Sequence, residues 1–127
     1  MKIKLLLFLF LLVSSRAYAD ISEPDAVKAI LGEAGGSYAE RLAIAHAIRN
    51  RGSLNGVYGH LKAPSEAEYQ RGCRVWEEAK DSPDPTKGAK NWLSDYDFKH
   101  CRALRTAWHN EMTETAYIGH THFYKEA

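Results

Sequence analysis

Glu33 is the residue of this sequence whose position most favours acid–base chemistry. It stands in "ILGEAGGSYAERLAIAHAIRNRG", at the end of one apolar helical pattern and just before Gly35 and Gly36. Partial burial against apolar groups would raise the pKa of a carboxyl group there, as a general acid at neutral pH requires. The glycines would let a ligand approach. The alternative is a solvated glutamate near a helix end, but a negative charge there costs about 0.3–1 kcal/mol, which favours a role other than stability.

Two capped helices are predicted to hold Glu33 in the elbow between them. The first begins at Ser22, and its core residues recur at helical spacing: Val27, Ile30, Leu31 and Ala34. The glycines end this helix, and Ser37 caps a second helix that stops at Gly52. Because only a short glycine segment separates the helices, the chain must turn sharply. The backbone at Glu33 is therefore expected to be pinned.

The middle of the chain predicts a third helix followed by a loop. Ser65 and Glu68 form a capping box at the start of "SEAEYQRGCRVWEEAK". The apolar residues of this helix are Tyr69, Cys73, Val75, Trp76 and Ala79. The segment "DSPDPTKGAKNW" contains Pro83, Pro85 and Gly88, and these residues predict a loop.

The last part of the sequence predicts a short helix and a small β element. The helix is expected from Phe98 to His109, with Cys101, Leu104 and Trp108 facing inward. The segment "MTETAYIGHTHFYK" alternates and predicts a two-stranded ribbon turning near Gly119. The predicted fold class is therefore α+β, mostly helical, in a single domain with a small C-terminal β-ribbon.

Residues 1–19 have the features of a signal peptide. A basic start with Lys2 and Lys4 precedes the apolar run "LLLFLFLLV", and an A-x-A site precedes Asp20. The run is shorter than the ~20 residues of a transmembrane span, so an uncleaved anchor is the weaker alternative. We expect residues 20–127 to form one domain, secreted or periplasmic, with no stable membrane anchor after cleavage.

The charge of the mature segment excludes nucleic acid as the expected partner. The whole chain has a formal net charge of +1, and residues 1–19 contain Lys2, Lys4 and Arg16 but no acid. Removing these three positive charges leaves residues 20–127 with a net charge of −2. A slightly acidic protein has neither the basic footprint of a nucleic-acid-binding domain nor a polybasic patch for anionic membranes.

Cys73 and Cys101 are the two cysteines of the chain. In an oxidising compartment an even pair predicts one disulfide, and the alternative is two buried thiols. A bridge between them would contribute about 3–4 kcal/mol in the chain-entropy model. A single pair cannot supply the four ligands of a structural zinc site, and we expect neither a metal nor a cofactor.

Three blocks of the sequence, in order, resemble the cell-wall hydrolase family typified by spore cortex-lytic enzymes. The block "GEAGGSYAERLAIAHAIRNRG" is similar to the family's Gly-Glu-Ala-x-Gly-Glu motif and the apolar helix that ends in Asn-Arg. The block "DPTKGAKNW" resembles its Asp-Pro-Thr-x-Gly-Ala loop, and "YIGHTHFY" resembles its closing Ile-Gly-x-His-x-Phe-Tyr strand. The blocks extend from Gly32 to Tyr124.

The resemblance implies a lysozyme-like domain that cleaves the glycan strands of peptidoglycan between MurNAc and GlcNAc. Glu33 matches the catalytic acid of the family. Glycoside hydrolysis usually uses two carboxyl groups, and the only remote candidates for the second are Asp84, Asp95 and Asp97, none of which lies in an assignable motif. We therefore expect a lytic transglycosylase that forms a 1,6-anhydro product, with a hydrolytic muramidase as the alternative. We expect a partner, such as an envelope-spanning assembly, or confinement in the periplasm to deliver the enzyme.

Other residues of the three blocks are candidates for substrate binding. Trp92 could stack on a sugar ring, and the open backbone at Gly88 and Ala89 could bind an acetamido group. His122 and Tyr124, in the ribbon, are expected to line the cleft near Glu33. The alternatives are a core tryptophan and residues that only pack the ribbon.

The chain departs from the family pattern at Ser37, where the family has a second glutamate. If that glutamate supports the fold, Ser37 replaces it as a helix N-cap. If it tunes the first glutamate, this protein is slow, or is a non-catalytic wall-binding module. Lys90 and Asn91 replace apolar and aromatic residues of the family loop, which could shift glycan preference.

His120 and His122 offer a rival interpretation, a zinc-dependent peptidase or amidase that acts on the wall's peptide stems. Neutral imidazoles are good zinc ligands, but such a site needs a third ligand and a base. The sequence contains no H-E-x-x-H motif. The other histidines follow no pattern and are expected to be surface or core residues: His46, His60, His100 and His109.

Overall fold

The structure is a computed structural model that describes residues 21–34, 36–57, 59, 63–101 and 111–126. Within these ranges the fold is α+β, with four helices and a three-stranded antiparallel sheet, which confirms the predicted fold class at that level. The predicted signal peptide (1–19) and His60, Leu104, Trp108 and His109 lie outside the described residues. In the described part, no helix is both long enough and apolar enough to cross a membrane.

Within the described residues, four helices and three strands follow one another. The helices are α1 (Glu23–Glu33), α2 (Tyr38–Arg51), α3 (Glu66–Asp81) and α4 (Asp95–His100). The strands are β1 (Asn91–Ser94), β2 (Met112–Ile118) and β3 (Thr121–Glu126).

The predicted N-terminal caps of α1 and α2 are confirmed. The Asp25 N–H donates to Ser22 Oγ at 3.3 Å, and the Glu40 N–H donates to Ser37 Oγ at 3.1 Å. Each bond satisfies a backbone donor that has no partner inside its helix. Ser65 and Glu68 form both halves of a capping box at the start of α3, also as predicted.

The C-terminal ends of α1 and α2 differ from each other. α1 ends at Glu33, one residue before its C-cap Ala34, so the helix stops earlier than the glycines predicted. Gly36 instead serves the connection, where its φ of 105° lies in a region that residues with a side chain rarely adopt. α2 ends as predicted at Gly52, which takes a left-handed conformation with φ of 74°.

A single apolar core joins the helices to one face of the sheet. Its fully buried residues include Ile30 of α1, Ile44 and Ile48 of α2, Val75 of α3 and Phe123 of β3. Burying a side chain of this size contributes about 1.5–3 kcal/mol. The helices also approach closely at Gly72, where an added Cβ would lie only 2.6 Å from Val27 Cγ1.

The sheet has the order β1-β3-β2, so β3 is its central strand. The predicted ribbon of β2 and β3 is confirmed, and Gly119 lies in its turn with φ of 61°. Strand β1 was not predicted, because Asn91 and Trp92 were assigned to the preceding loop. In the register, Trp92 lies opposite Phe123 and Leu93 lies opposite His122.

The disulfide prediction is wrong, because Cys73 and Cys101 are both free. Cys73 Sγ lies 3.6 Å from Glu23 Oε1, so this thiol faces the start of α1. Cys101 is exposed and caps the C-terminus of α4, which contacts β1. Helix α4 ends at His100, so Cys101 also does not face inward as predicted. The two thiols belong to elements that pack on different neighbours.

We expect two thiols to react with Ellman's reagent when the purified protein is unfolded without reductant. In the folded protein Cys101 should react first, because it is exposed. Burial and the hydrogen bond to Glu23 raise the pKa of Cys73, and a thiol with a raised pKa has less of the reactive thiolate. The variant Cys101→Ser should lose the fast phase alone. An unfolded, unreduced sample with no reactive thiol would contradict the free pair.

Candidate active site

The Glu33 carboxylate is held by two N–H donors from distant parts of the chain. The Gly59 N–H donates to Oε1 at 3.0 Å, and the Trp92 indole Nε1–H donates to Oε2 at 3.2 Å. Glu33 and Trp92 are both half-buried. An ionised carboxylate has about four acceptor positions, and these two bonds use two of them. The arrangement fixes the direction of the carboxyl group.

Gly32 and Gly59 bring their backbones into direct contact beside this carboxylate. A Cβ added to Gly32 would lie 1.7 Å from the Gly59 carbonyl oxygen. A Cβ added to Gly59 would lie 2.6 Å from Gly32 C and 3.0 Å from Glu33 Cγ. No side chain fits at either position unless the backbone moves. This contact explains why a glycine precedes the glutamate in the first block. Because Gly32 has no side chain, the Gly59 N–H can reach the Glu33 carboxylate.

Arg51 connects the two chain segments that carry the donors. Its Nη2 donates to the carbonyl of Asn55, in the segment that leads to the first donor. Its Nη1 lies 3.4 Å from the Lys90 carbonyl oxygen and 3.3 Å from Asn91 Oδ1. Its guanidinium carbon is 5.9 Å from the centre of the Trp92 ring, within cation–π range. Arg51 thus braces both segments against the end of α2.

Asp84 organises the loop that leads into β1. Its Oδ1 accepts from the Thr86 N–H at 2.8 Å and from Thr86 Oγ1 at 2.6 Å. Its Oδ2 accepts from the Gly88 N–H at 2.9 Å and from Asn50 Nδ2 at 2.8 Å. Burial acts to raise the pKa of Asp84, but the hydrogen bonds from Thr86, Asn50 and Gly88 outweigh it and hold the pKa below its usual value.

The backbone groups of Gly88 and Ala89 that we expected to meet a ligand are used inside this loop. The Gly88 N–H donates to Asp84, and the Ala89 carbonyl accepts from Asn50 Nδ2 at 3.0 Å. Lys87 and Gly88 have φ of 56° and 87°, which turns the chain into β1. The observed contacts position the strand that carries Trp92. A role for Gly88 and Ala89 in substrate binding stays a prediction.

His122 lies in a cluster on the other face of the sheet. Its Nε2 is 2.8 Å from Asp95 Oδ1, and its Nδ1 contacts Glu114 Oε1. Its ring stacks between those of Phe98 and Tyr117, with centroid distances of 4.6 and 4.3 Å. The Tyr117 hydroxyl also donates to Asp95 at 2.7 Å, which lowers the pKa of Asp95, and His122 acts in the same direction.

The register separates His122 and Tyr124 from Glu33. Side chains alternate between the two faces of a strand, and residues directly opposite each other share a face. Trp92 and Phe123 therefore share the face that packs on the helices, while His122 and Tyr124 lie on the other. Tyr124 is 6% exposed, and burial raises its pKa. Their predicted role in binding substrate beside Glu33 is untested, and this placement does not favour it.

The two histidines of the zinc interpretation are both beside Asp95. His120 Nδ1 lies 3.4 Å from Asp95 Oδ2, and the His120 side chain is 81% exposed. Among the residues that the structure describes, no three His, Cys, Asp or Glu side chains are grouped so that they could hold a metal ion. The zinc interpretation stays an alternative, and its test is metal removal.

One residue of this site, Gly59, was missed from the sequence, and the contact that Trp92 makes was not predicted. Gly59 acts through its backbone N–H, so its residue type gave no chemical signal, and only its close contact with Gly32 reveals its role. Trp92 was singled out for its ring, whereas the structure shows its indole N–H on the carboxylate. The signal that found Trp92 was its place at the end of the "DPTKGAKNW" block.

Comparison with known proteins assigns this chain to no family, since no family model, no curated protein and no solved structure matches it. The resemblance to cell-wall hydrolases is therefore a hypothesis carried by three sequence blocks. Two of these blocks supply the site, because the first contains Glu33 and the second ends at Trp92.

We expect Asp84→Ala to lower the free energy of unfolding by about 2–4 kcal/mol at pH 7, because several part-buried donors lose their acceptor. Because the pKa of Asp84 is lowered in the folded state, its contribution is present above the unfolded value of about 3.9 and is lost as the pH falls through the folded value. Urea unfolding at pH 7 and at pH 3 measures both effects. Asp81→Ala, at an exposed position, is the matched control. A difference from wild type that stays constant with pH would contradict this assignment.

Proposed function

We propose that this protein cleaves the glycan strands of peptidoglycan, and that Glu33 is the general acid. The observation that carries the proposal is the half-buried Glu33 carboxyl group, fixed at the end of α1 by the Gly59 N–H and the Trp92 indole. A general acid must be positioned within hydrogen-bond reach of the oxygen it protonates, and two fixed donors supply that positioning. The first sequence block matches the catalytic glutamate of the resembled family at the same residue.

The finer fold assignment, a lysozyme-like domain, belongs to the same proposal. It is supported by a glutamate at a helix end that meets a tryptophan of a small antiparallel sheet. In lysozyme the general-acid glutamate also lies beside a tryptophan. The proposed location is secreted or periplasmic, on the basis of the signal-peptide pattern of residues 1–19.

The proposed reaction is lytic transglycosylation, which needs one carboxyl group. Glu33 donates a proton to the glycosidic oxygen, the bond from that oxygen to C1 of the muramic acid breaks, and the leaving sugar departs with a new hydroxyl group. The Glu33 carboxylate then accepts the proton of the muramic acid C6 hydroxyl, whose oxygen bonds to C1. The product carries a 1,6-anhydro ring, Glu33 is protonated again, and no water is consumed.

The contacts of the other acidic residues support a mechanism with one carboxyl group. Asp84 accepts hydrogen bonds from its own loop and from Asn50. Asp95 accepts from Tyr117 and contacts His122 on the other face of the sheet. Both carboxylates are therefore already engaged by other groups of the protein. A hydrolytic muramidase remains the alternative, since hydrolysis calls for a second carboxylate or a positioned water.

The contacts of Ser37 support an active enzyme over a non-catalytic wall-binding module. Ser37 is the N-cap of α2, so this position serves the fold by capping a helix. If the family's second glutamate also serves the fold, a serine that caps the helix replaces it without loss of activity. The Glu33 site keeps both of its donors with Ser37 in place.

We expect Glu33→Gln to abolish the clearing of purified peptidoglycan suspensions while the protein stays folded. Glutamine keeps an oxygen for one of the two N–H donors, so the loss of the other hydrogen bond should cost about 1 kcal/mol, and glutamine cannot transfer the proton. Glu111→Gln, at an exposed position, is the matched control and should clear the suspension like wild type. A Glu33→Gln protein with more than a tenth of wild-type activity would remove Glu33 from the mechanism.

Mass spectrometry of digested peptidoglycan should show 1,6-anhydro muropeptides, and this activity should survive EDTA because proton transfer by Glu33 needs no metal. Reducing muropeptides would identify the hydrolytic muramidase. Freed stem peptides would identify a peptidase or amidase instead. If EDTA abolishes activity, Zn²⁺ restores it and His120→Ala or His122→Ala loses it, the zinc interpretation replaces the one built on Glu33.

A further inference from the structure

A cavity of about 510 Å³ lies beside the end of α2, and Glu33 is not among the residues that line it. It is bounded by α3 and by the loop before β1. Ile21, Trp76 and Ala79 supply apolar wall, and Arg49, Lys80 and Lys90 supply positive charge. No acidic residue is part of the lining that the structure describes. Cavities of about 300–1,000 Å³ are typical of sites for small organic ligands.

Arg49 is the fixed cation of this cavity. Its guanidinium carbon lies 3.7 Å from the centre of the Trp76 ring, and its Nε and Nη2 both donate to the Trp76 carbonyl oxygen. Arg49 is half-buried, and burial lowers its pKa against the opposing effect of Glu77 and Asp81. No carboxylate of the described chain lies within ion-pairing distance of it. The guanidinium has further N–H donors beyond those on Trp76.

The two lysines add positive charge at the rim. Lys80 pairs with Glu77 at 3.2 Å, and both side chains are about half exposed, so this pair is weak and exchangeable. Lys90 is exposed, and within the described ranges no carboxylate pairs with it. The cavity thus combines a half-buried arginine, with no described carboxylate within ion-pairing distance, two exposed lysines at the rim and an apolar wall.

We propose that this cavity binds the carboxylate of a short acidic peptide, with Arg49 on the carboxylate and Trp76 and Ala79 against the apolar part. A guanidinium matches the planar carboxylate and bonds it with two parallel N–H donors. The volume exceeds that of a bare inorganic anion, so the ligand has an organic body. The site is separate from Glu33 and does not depend on glycan cleavage. The peptide stem of a cell wall and an acidic segment of a protein share this chemistry.

Isothermal titration with four N-acetylated dipeptides tests the proposal. The probes are L-Ala-γ-D-Glu, as in wall stems, L-Ala-L-Glu, as in proteins, and the amide counterpart of each, in which a neutral amide replaces every carboxylate. We expect at least one acid to bind tenfold or more tightly than its amide. Lys90→Gln should weaken that binding at least threefold, as should 0.5 M salt, because the rim charge is exposed and therefore screened. Lys99→Gln, exposed on α4, is the matched control.

Arg49→Gln should abolish binding of the acid, and thermal unfolding of this variant shows whether the fold is kept. If Arg49→Gln unfolds, the proposal is tested by the binding of Lys90→Gln and by the comparison of each acid with its amide.

Tighter binding of the D-glutamyl probe assigns the source of the ligand to wall stems, and tighter binding of the L-glutamyl probe assigns it to a protein segment. Equal binding of acid and amide, no effect of Lys90→Gln, or inorganic phosphate that binds as tightly as the peptides would overturn the proposal. Glu33→Gln should bind the peptides like wild type, so failure of glycan cleavage and failure of this site are distinguishable.

Discussion

The buried carboxylate of Glu40 fixes the sheet against the helices. Glu40 lies in the first turn of α2, is 2% exposed, and accepts from the His120 N–H at 2.7 Å in the turn between β2 and β3. A buried acceptor that loses its donor costs about 1–3 kcal/mol, and more when it is charged. Gly119 makes room for the carboxylate, since a Cβ there would lie 2.1 Å from Glu40 Oε2. Because β3 pairs with β1, this contact also sets where Trp92 meets Glu33.

Local signals in the sequence predicted where α1, α2 and α3 begin, whereas α4 begins three residues before its predicted start and strand β1, which depends on a distant partner, was not predicted. The caps at Ser22, Ser37 and Ser65 are decided within three residues, so their side chains and the following backbone suffice. Strand β1 is four residues long and exists because it pairs with β3, far along the chain. The disulfide was inferred from an expected compartment, whereas packing put the two thiols on different neighbours.

The sequence predicted those residues of the candidate site that act through their side chains. Glu33 was found from its helix corner and its motif, and Trp92 from its block, although for another use of its ring. Gly59 was invisible because its contribution is a backbone N–H. His122 and Tyr124 were expected beside Glu33. Alternate residues of a strand point to opposite faces, so the face of each residue in β3 relative to Trp92 depends on the register between β1 and β3. That register could not be predicted because β1 itself was not predicted.

The pairing of β1 with β3 imposes an order on the assembly of the site during synthesis. In the register, Trp92 is held beside Phe123, so a ribosome makes the strand that fixes the tryptophan well after the tryptophan itself. The hydrogen bonds between Glu33 and Trp92 and between Glu40 and His120 join residues that are 59 and 80 positions apart in the sequence. Contacts between residues so far apart in the sequence form later than helices do. A nascent chain therefore carries Glu33 without its indole donor. Under the proposed function, a wall-cleaving enzyme of this topology acquires its positioned acid only once β3 has been translated and folded.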